Sequence, residues 1–201
     1  MTLEALAITA SIVFILRLLP QPLRLARLGV ADGVSPLASL NGLVATSAWL
    51  AYGLARGLPV VWIVSVIAVV PGAWTVVLLR SRTRWTDVAW AAAWVATLVV
   101  AGAGGLFAAA LGVGVVVTQG PQVVRALRST ELGGLAPATW WVSLLDASTW
   151  GAYGIALGDA ALMGYAVVLG SAALIVLGRI QFVRARVDPD VLIEPASLQS
   201  A

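Results

Sequence analysis

The chain contains no cysteine and no histidine, and it carries few charged side chains. Without cysteine it can form neither a disulfide nor a thiolate metal site, and without histidine it can form no histidine-based catalytic dyad or zinc site. No nucleophile–base pair is evident either, so we expect no enzymatic activity and no cofactor. Only 10% of the residues are charged, against about 25% in a soluble domain. Together with 61% hydrophobic residues and a mean hydropathy of +0.99, this composition predicts an integral membrane protein.

One stretch of the sequence occurs twice, about 100 residues apart. The matched residues of the first copy are Pro20, Gln21, Arg24, Arg27, Gly33, Pro36, Trp49, Tyr52 and Gly53. Those of the second copy are Pro121, Gln122, Arg125, Arg128, Gly134, Pro137, Trp150, Tyr153 and Gly154. Because the spacing is constant throughout, the chain is a tandem duplication.

Apolar segments surround and follow each copy, and each is long enough to cross a hydrocarbon core, which takes about 20 helical residues. We predict spans at about 3–27, 35–56, 59–79, 86–102, 105–127, 136–157 and 160–181. This gives an all-α membrane protein with seven transmembrane helices arranged as 3+1+3, in which two parallel three-helix repeats are joined by a linker helix. The predicted divisions are a first repeat over 1–84, a linker over 85–103, a second repeat over 104–186, and a disordered tail over 187–201.

The arginines set the predicted topology. With seven spans, one side of the membrane carries the arginines of the loops after helices 1, 3 and 5 and of the tail: Arg24, Arg27, Arg80, Arg82, Arg84, Arg125, Arg128, Arg179, Arg184 and Arg186. Only Arg56 lies opposite, so the positive-inside rule puts the N-terminus outside and the C-terminus in the cytoplasm of a multi-pass cell-membrane protein. Arginines so placed set orientation rather than bind nucleic acid. The tryptophans near span ends, Trp62, Trp85, Trp140 and Trp141, predict an indole belt at the lipid interface.

Each copy carries a Pro-Gln dipeptide inside its first predicted helix. A proline has no backbone N–H, so Pro20 and Pro121 each leave a carbonyl of the preceding turn without its helical partner. Gln21 and Gln122 carry carboxamides that could satisfy these groups. One such proline is compatible with a static kink, but the same device in both copies favours a paired hinge beside a central transport site.

These residues resemble the PQ-loop family. Each Pro-Gln is followed by a basic turn, a Gly-x-x-Pro motif and a Trp-x-x-Tyr-Gly motif. The family includes the SWEET sugar facilitators, half-size SemiSWEETs, cystinosin-type amino-acid carriers and KDEL receptors, and the 3+1+3 layout is similar to that of SWEETs. The resemblance implies that Trp49 and Trp150 contact substrate. Sugar-carrying members add an asparagine on the third helix of each repeat, whereas the only asparagine here is Asn41 on the second helix, which argues against a sugar.

Two charges fall well inside the predicted spans. Arg17 and Asp146 lie at similar predicted depth in the membrane, where an unpaired charge is costly. We therefore expect both side chains to face the protein interior, where they could meet. Neither has a charged counterpart in the other copy, where the residues are Thr118 and Ala45. Three interpretations stay open: a structural ion pair, an Arg17 anchor for an anionic substrate group, and Asp146 as a proton-coupling acid.

Tyr52 and Tyr153 follow the two tryptophans toward the predicted outer side. They fit an outer gate and interfacial anchoring equally well.

The sequence thus predicts a carrier that moves a small solute, a sugar or an amino-acid-like metabolite, by alternating access between the two repeats. Its site would be bounded by Trp49, Trp150, Arg17 and Asp146. The alternative is a non-transporting PQ-loop receptor that captures a partner in the same cavity. The expected partners are the solute and the lipid bilayer, with proton coupling left open, and the default functional unit is a monomer, although a homo-oligomer is compatible with the sequence.

Overall fold

The computed structural model describes residues 2–28, 35–128 and 137–184, and covers the backbone alone at Pro20, Gln21, Arg24, Leu28, Pro121, Gln122, Arg125 and Arg184. Every regular element in these ranges is helical. The α-helices are α1 (Leu3–Leu18), α2 (Pro20–Leu28), α3 (Pro36–Ala55), α4 (Pro59–Leu78), α5 (Trp85–Ala103), α6 (Phe107–Arg128), α7 (Pro137–Leu157) and α8 (Ala160–Arg184), with a short 3-10 helix at Arg80–Arg82. The predicted disordered tail, 187–201, lies outside the described residues.

Each predicted span coincides with a helix, or with the consecutive helices α1 and α2 for the first span. Four helical segments of the described chain are long and apolar enough to cross a membrane: Pro36–Ala55, Pro59–Leu78, Trp85–Ala103 and Ala160–Val183. The starts of the helices follow from local chemistry. The hydroxyls of Thr2 and Ser35 accept hydrogen bonds from the first turns of α1 and α3, and Pro36 and Pro59 occupy first-turn positions where no N–H is needed.

The hairpin between α3 and α4 in the first sequence copy is built in the same way as the hairpin between α7 and α8 in the second. Gly57 and Gly158 have φ of 62° and 65°, a left-handed conformation that favours glycine. Just beyond each of them, the N–H of the next residue donates to the carbonyl of Gly53 or Gly154, at 2.8 Å in both cases. Such bonds close the end of a helix and set the direction of the next one.

The same hairpins need glycine for close packing. A Cβ at Gly53 would lie 2.7 Å from the backbone nitrogen of Trp62, and a Cβ at Gly154 would lie 2.8 Å from the Cβ of Leu162. The two helices of each hairpin therefore touch at corresponding glycines, so the duplication seen in the sequence extends to close helix contacts.

Helix packing repeats the same pattern. In the first copy α4 packs against α3 and against α1 and α2, and in the second copy α8 packs against α7 and α6. The copies meet through two crossed contacts, α1 with α7 and α3 with α6, while α5 packs against α3 and α6. The first helix of each copy thus lies against the second helix of the other.

The two copies differ at the crossing of α1 with α4 in the first copy and of α6 with α8 in the second. In the second copy Gly112 lies against Gly164, and a Cβ on Gly112 would be 3.5 Å from the Gly164 backbone. The equivalent residues of the first copy are Ser11 and Ile63. Here an apolar groove of about 490 Å³ separates α1 from α4. Its lining residues are Ile8, Ser11, Ile12, Ile15, Leu16, Val60, Ile63, Val64 and Ile67.

The tryptophan prediction is wrong at one position. Trp85 and Trp141 are exposed, as expected of residues that face lipid or its interface, but Trp140 is only 3% exposed. It packs in a cluster with residues of α8, including Ala173 and Val176. Trp140 and Trp141 are adjacent on α7 and point about 100° apart around the helix, so one can pack inward while the other faces outward.

Candidate functional site

The α1–α7 contact brings Arg17 and Asp146 together. The Arg17 Nε lies 3.2 Å from Oδ2 of Asp146. Arg17 occupies the last turn of α1, and Asp146 lies near the middle of α7. The two charges therefore meet across the contact between the two sequence copies.

A third residue, Tyr165 on α8, completes this cluster. Its hydroxyl donates to Oδ2 of Asp146 at 2.5 Å and accepts from Nη2 of Arg17 at 3.1 Å. We call Arg17, Asp146 and Tyr165 the triad. Sequence reasoning missed Tyr165 because its counterpart in the first copy is Val64 and because it stands in a strongly apolar helix.

The triad is almost wholly closed to the surroundings. The Asp146 side chain is 0% exposed, and that of Arg17 is 14% exposed. Oδ1 of Asp146 meets no hydrogen-bond donor among the described residues. Removing one partner of a buried ion pair typically costs about 3–5 kcal/mol, because the other charge is left uncompensated. The triad consequently fixes α1 against α7 and α8.

Aromatic rings surround the triad, and the two predicted tryptophans are among them. Trp49 packs edge-on against the Tyr165 ring, with 5.7 Å between centroids, and Trp150 packs against Phe14 at 6.5 Å. The Arg17 guanidinium lies 5.4 Å from the centroid of the Phe14 ring, within the range of a cation–π contact. The four residues predicted to bind substrate, Trp49, Trp150, Arg17 and Asp146, therefore lie in one contact network, with both indoles turned inward.

The two tyrosines of the predicted gate are buried, each beside the tryptophan of its own copy. Tyr52 lies 5.6 Å from Trp49, and Tyr153 lies 5.8 Å from Trp150, between ring centroids. The Tyr52 hydroxyl donates to Oδ2 of Asp159 at 2.7 Å, which ties α3 to the start of α8. The second copy cannot repeat this contact, because the counterpart of Asp159 is Leu58.

Asp159 also holds the first turn of α8. Its Oδ1 accepts from the backbone N–H groups of Ala161 and Leu162, both at 3.0 Å. The sequence placed Asp159 near the end of a span and gave no sign that it would be 4% exposed. An aspartate directly before a helix is nevertheless a typical N-cap.

The side chains of the predicted hinge residues Pro20, Gln21, Pro121 and Gln122 lie outside the description. Leu19, the one residue between α1 and α2, has helical dihedral angles, with φ −67° and ψ −36°. The backbone thus keeps a helical conformation at the first dipeptide, as α6 does through the second. The paired hinge stays a prediction.

No family model and no characterised protein matches the chain. Within the described ranges, no group of three potential ligands could hold a metal ion. The candidate site therefore consists of the triad and the aromatic rings around it.

Proposed function

We propose that the chain is a seven-span carrier of a small solute, working by alternating access between its two sequence copies. The observation that supports this best is the triad, a buried polar cluster placed where the copies meet and enclosed by the duplicated tryptophans. A structural ion pair would also hold α1 against α7 and α8, but the position of this one beside both duplicated tryptophans favours a substrate site.

The proposed cycle has the two halves rocking about the central cluster. The conformation described here is closed, because Asp146 is 0% exposed. Opening on either side would separate α1 from α7 and give solute access to Arg17, Asp146 and the two indoles. Pro20 and Pro121 would supply the bending points, since each lacks a backbone hydrogen bond.

The proposed topology follows the arginines, with the N-terminus outside and the C-terminus inside. The α3–α4 and α7–α8 connections then share the outer face. In this orientation the Tyr52–Asp159 hydrogen bond joins the halves near that face, and it would have to break when the carrier opens outward. The family proposal, a PQ-loop carrier, rests on the duplicated motifs alone.

Solute exchange in proteoliposomes tests the function. Purified protein is reconstituted, and trans-stimulated uptake of labelled sugars, amino acids and small carboxylates is measured against protein-free vesicles. Saturable uptake of one class above the protein-free level is expected. Binding without movement of any solute would favour the receptor alternative and contradict the carrier.

Two variants refine this test. Trp150→Ala should reduce the rate of uptake at least tenfold, because it removes an aromatic wall of the proposed site. The exposed Trp141, on the same helix, provides the matched control Trp141→Ala, which should leave uptake near the level of the unmodified chain. If Asp146 carries a coupling proton, Asp146→Asn abolishes the pH dependence of uptake.

A further inference from the structure

The polar contacts of Arg17 with the rest of the triad join the two sequence copies. Its Nε approaches Oδ2 of Asp146 at 3.2 Å, and its Nη2 donates to the hydroxyl of Tyr165 at 3.1 Å. Both partners belong to the second copy. A carrier that opens between the copies must therefore pull a buried cation from a buried anion in every cycle.

Such a separation needs a replacement partner for each charge. In surroundings as apolar as these, charges exposed without a partner are strongly unfavourable. A neutral polyol would replace neither charge. A lone carboxylate would pair Arg17 and leave Asp146 uncompensated unless Asp146 also took up a proton, and a lone amine would leave Arg17 unpaired.

The Asp146 carboxylate has one oxygen without a hydrogen-bond partner. Oδ2 takes part in both contacts that Asp146 makes within the triad, while Oδ1 is fully buried and has no hydrogen-bond partner among the described residues. Carboxylate oxygens accept several hydrogen bonds, and each one left unmade in a buried site is costly. This atom is therefore a position for an ammonium group.

The rest of the surroundings is apolar and aromatic. Phe14 and Trp150 meet edge to face on one side, and Trp49 packs on Tyr165 on the other. These rings offer an apolar surface to the remainder of a substrate and a favourable field to its cationic group.

We propose that the triad binds a small zwitterion of the α-amino-acid type with an apolar side chain. Its carboxylate pairs with the Arg17 guanidinium, its ammonium pairs with Asp146, and the Tyr165 hydroxyl keeps the two protein groups in register. The inference rests on the carrier function proposed above and names its substrate class. The zwitterion replaces the protein's own ion pair charge for charge, so the net charge of the site is the same before and after exchange.

The decisive experiment compares leucine with two analogues that keep its apolar side chain and with a neutral polyol. Thermal unfolding of the purified full chain is followed with L-leucine, with isopentylamine, which lacks the carboxylate, with 4-methylpentanoate, which lacks the ammonium, and with glucose. A ligand that binds the folded state raises Tm by mass action. L-leucine is expected to raise Tm by several degrees, and the other three to leave it unchanged.

The double variant Arg17→Gln/Asp146→Asn ties the effect to the triad. It removes both charges at once, so neither is left unpaired, and it should remain folded while losing the leucine shift. Glu4→Gln/Arg80→Gln is the matched control, since it also removes one acid and one base, both at exposed positions, and should keep the shift.

Several results would overturn the inference. These are a shift with the amine or the acid as large as that with leucine, a shift with glucose alone, no shift with leucine, or a leucine shift retained in the double variant. If that variant does not fold, the probe series on the unmodified chain decides. Uptake of glucose without leucine binding would defeat the inference and leave the carrier standing, whereas absence of uptake for every solute would defeat both.

Discussion

The first helix of each sequence copy packs against the second helix of the other copy, yet the two contacts differ in chemistry. The triad Arg17, Asp146 and Tyr165 occupies one of them. The equivalent residues on the other side are Thr118, Ala45 and Val64, and the Thr118 hydroxyl donates to Val115 in its own helix. Duplication thus supplied a symmetric frame, while charge was placed on one side of it.

The largest effect should separate the two sides. Arg17→Gln leaves Asp146 buried without its cation and should lower the free energy of unfolding by about 3–5 kcal/mol. Thr118→Ala, at the equivalent position, loses a hydrogen bond within one helix and should cost about 1 kcal/mol or less. Chemical denaturation of the purified proteins in detergent measures both. Equal losses would contradict the view that the polar contact dominates.

The hairpins should instead respond alike, because they are built alike. Gly53→Ala and Gly154→Ala place a Cβ 2.7 and 2.8 Å from atoms of the next helix in the hairpin. Overpacking of this kind costs about 1–3 kcal/mol. Gly42→Ala meets nothing within 4 Å and serves as the control, with a small gain from helix propensity. A loss in one hairpin alone, measured by thermal unfolding, would show that the copies are not mechanically equivalent.

Tyr165→Phe tests the triad without changing its charges. The variant removes the hydroxyl that contacts both Asp146 and Arg17, and it should cost about 1–3 kcal/mol. The cavity left by the missing hydroxyl is small, so the fold should persist. A lower rate in the uptake assay would then reflect the role of the hydroxyl in the site. Unchanged stability and uptake would remove Tyr165 from the site.

A smaller difference in stability is expected between variants of Tyr52 and Tyr153. Tyr52→Phe removes the hydrogen bond to Asp159, a charge-assisted contact worth about 1.5–3 kcal/mol when buried and less where water reaches it. We expect a loss near 1.5 kcal/mol. Tyr153→Phe, whose counterpart contact is missing because Leu58 replaces Asp159, should cost less. Tm values of the two variants provide the comparison, and a larger loss for Tyr153→Phe would contradict it.

The helices were predictable from sequence because their signals are long and redundant. Apolar runs, prolines at helix starts and glycines at helix ends all mark the same boundaries, as at Pro59 and Gly57. Helix rise placed Arg17 and Asp146 at similar predicted depth and so allowed them to meet, as the structure shows. Whether all seven helices cross the membrane, and in which orientation, stays a prediction.

The features that sequence reasoning missed depend on rotation about a helix or on a single local contact. Trp140 and Trp141 are neighbours in sequence with opposite environments, and composition near a span end does not tell them apart. Tyr165 became visible only when α8 was packed beside α7. The capping role of Asp159 is typical of an aspartate directly before a helix, whereas its contact with Tyr52 depends on both copies being in place.

The groove beside α1 has a mechanical consequence. Gly112 and Gly164 bring α6 and α8 into close contact, whereas α1 and α4 are separated along part of their length by the apolar groove. On the carrier proposal, we expect α1, which carries Arg17, to move relative to a second copy that behaves as a rigid unit. Spin labels at the exposed positions Ile12→Cys and Val66→Cys, clean reporters in a chain without cysteine, should then change separation on solute addition more than labels at the equivalent exposed pair Val113→Cys and Val167→Cys.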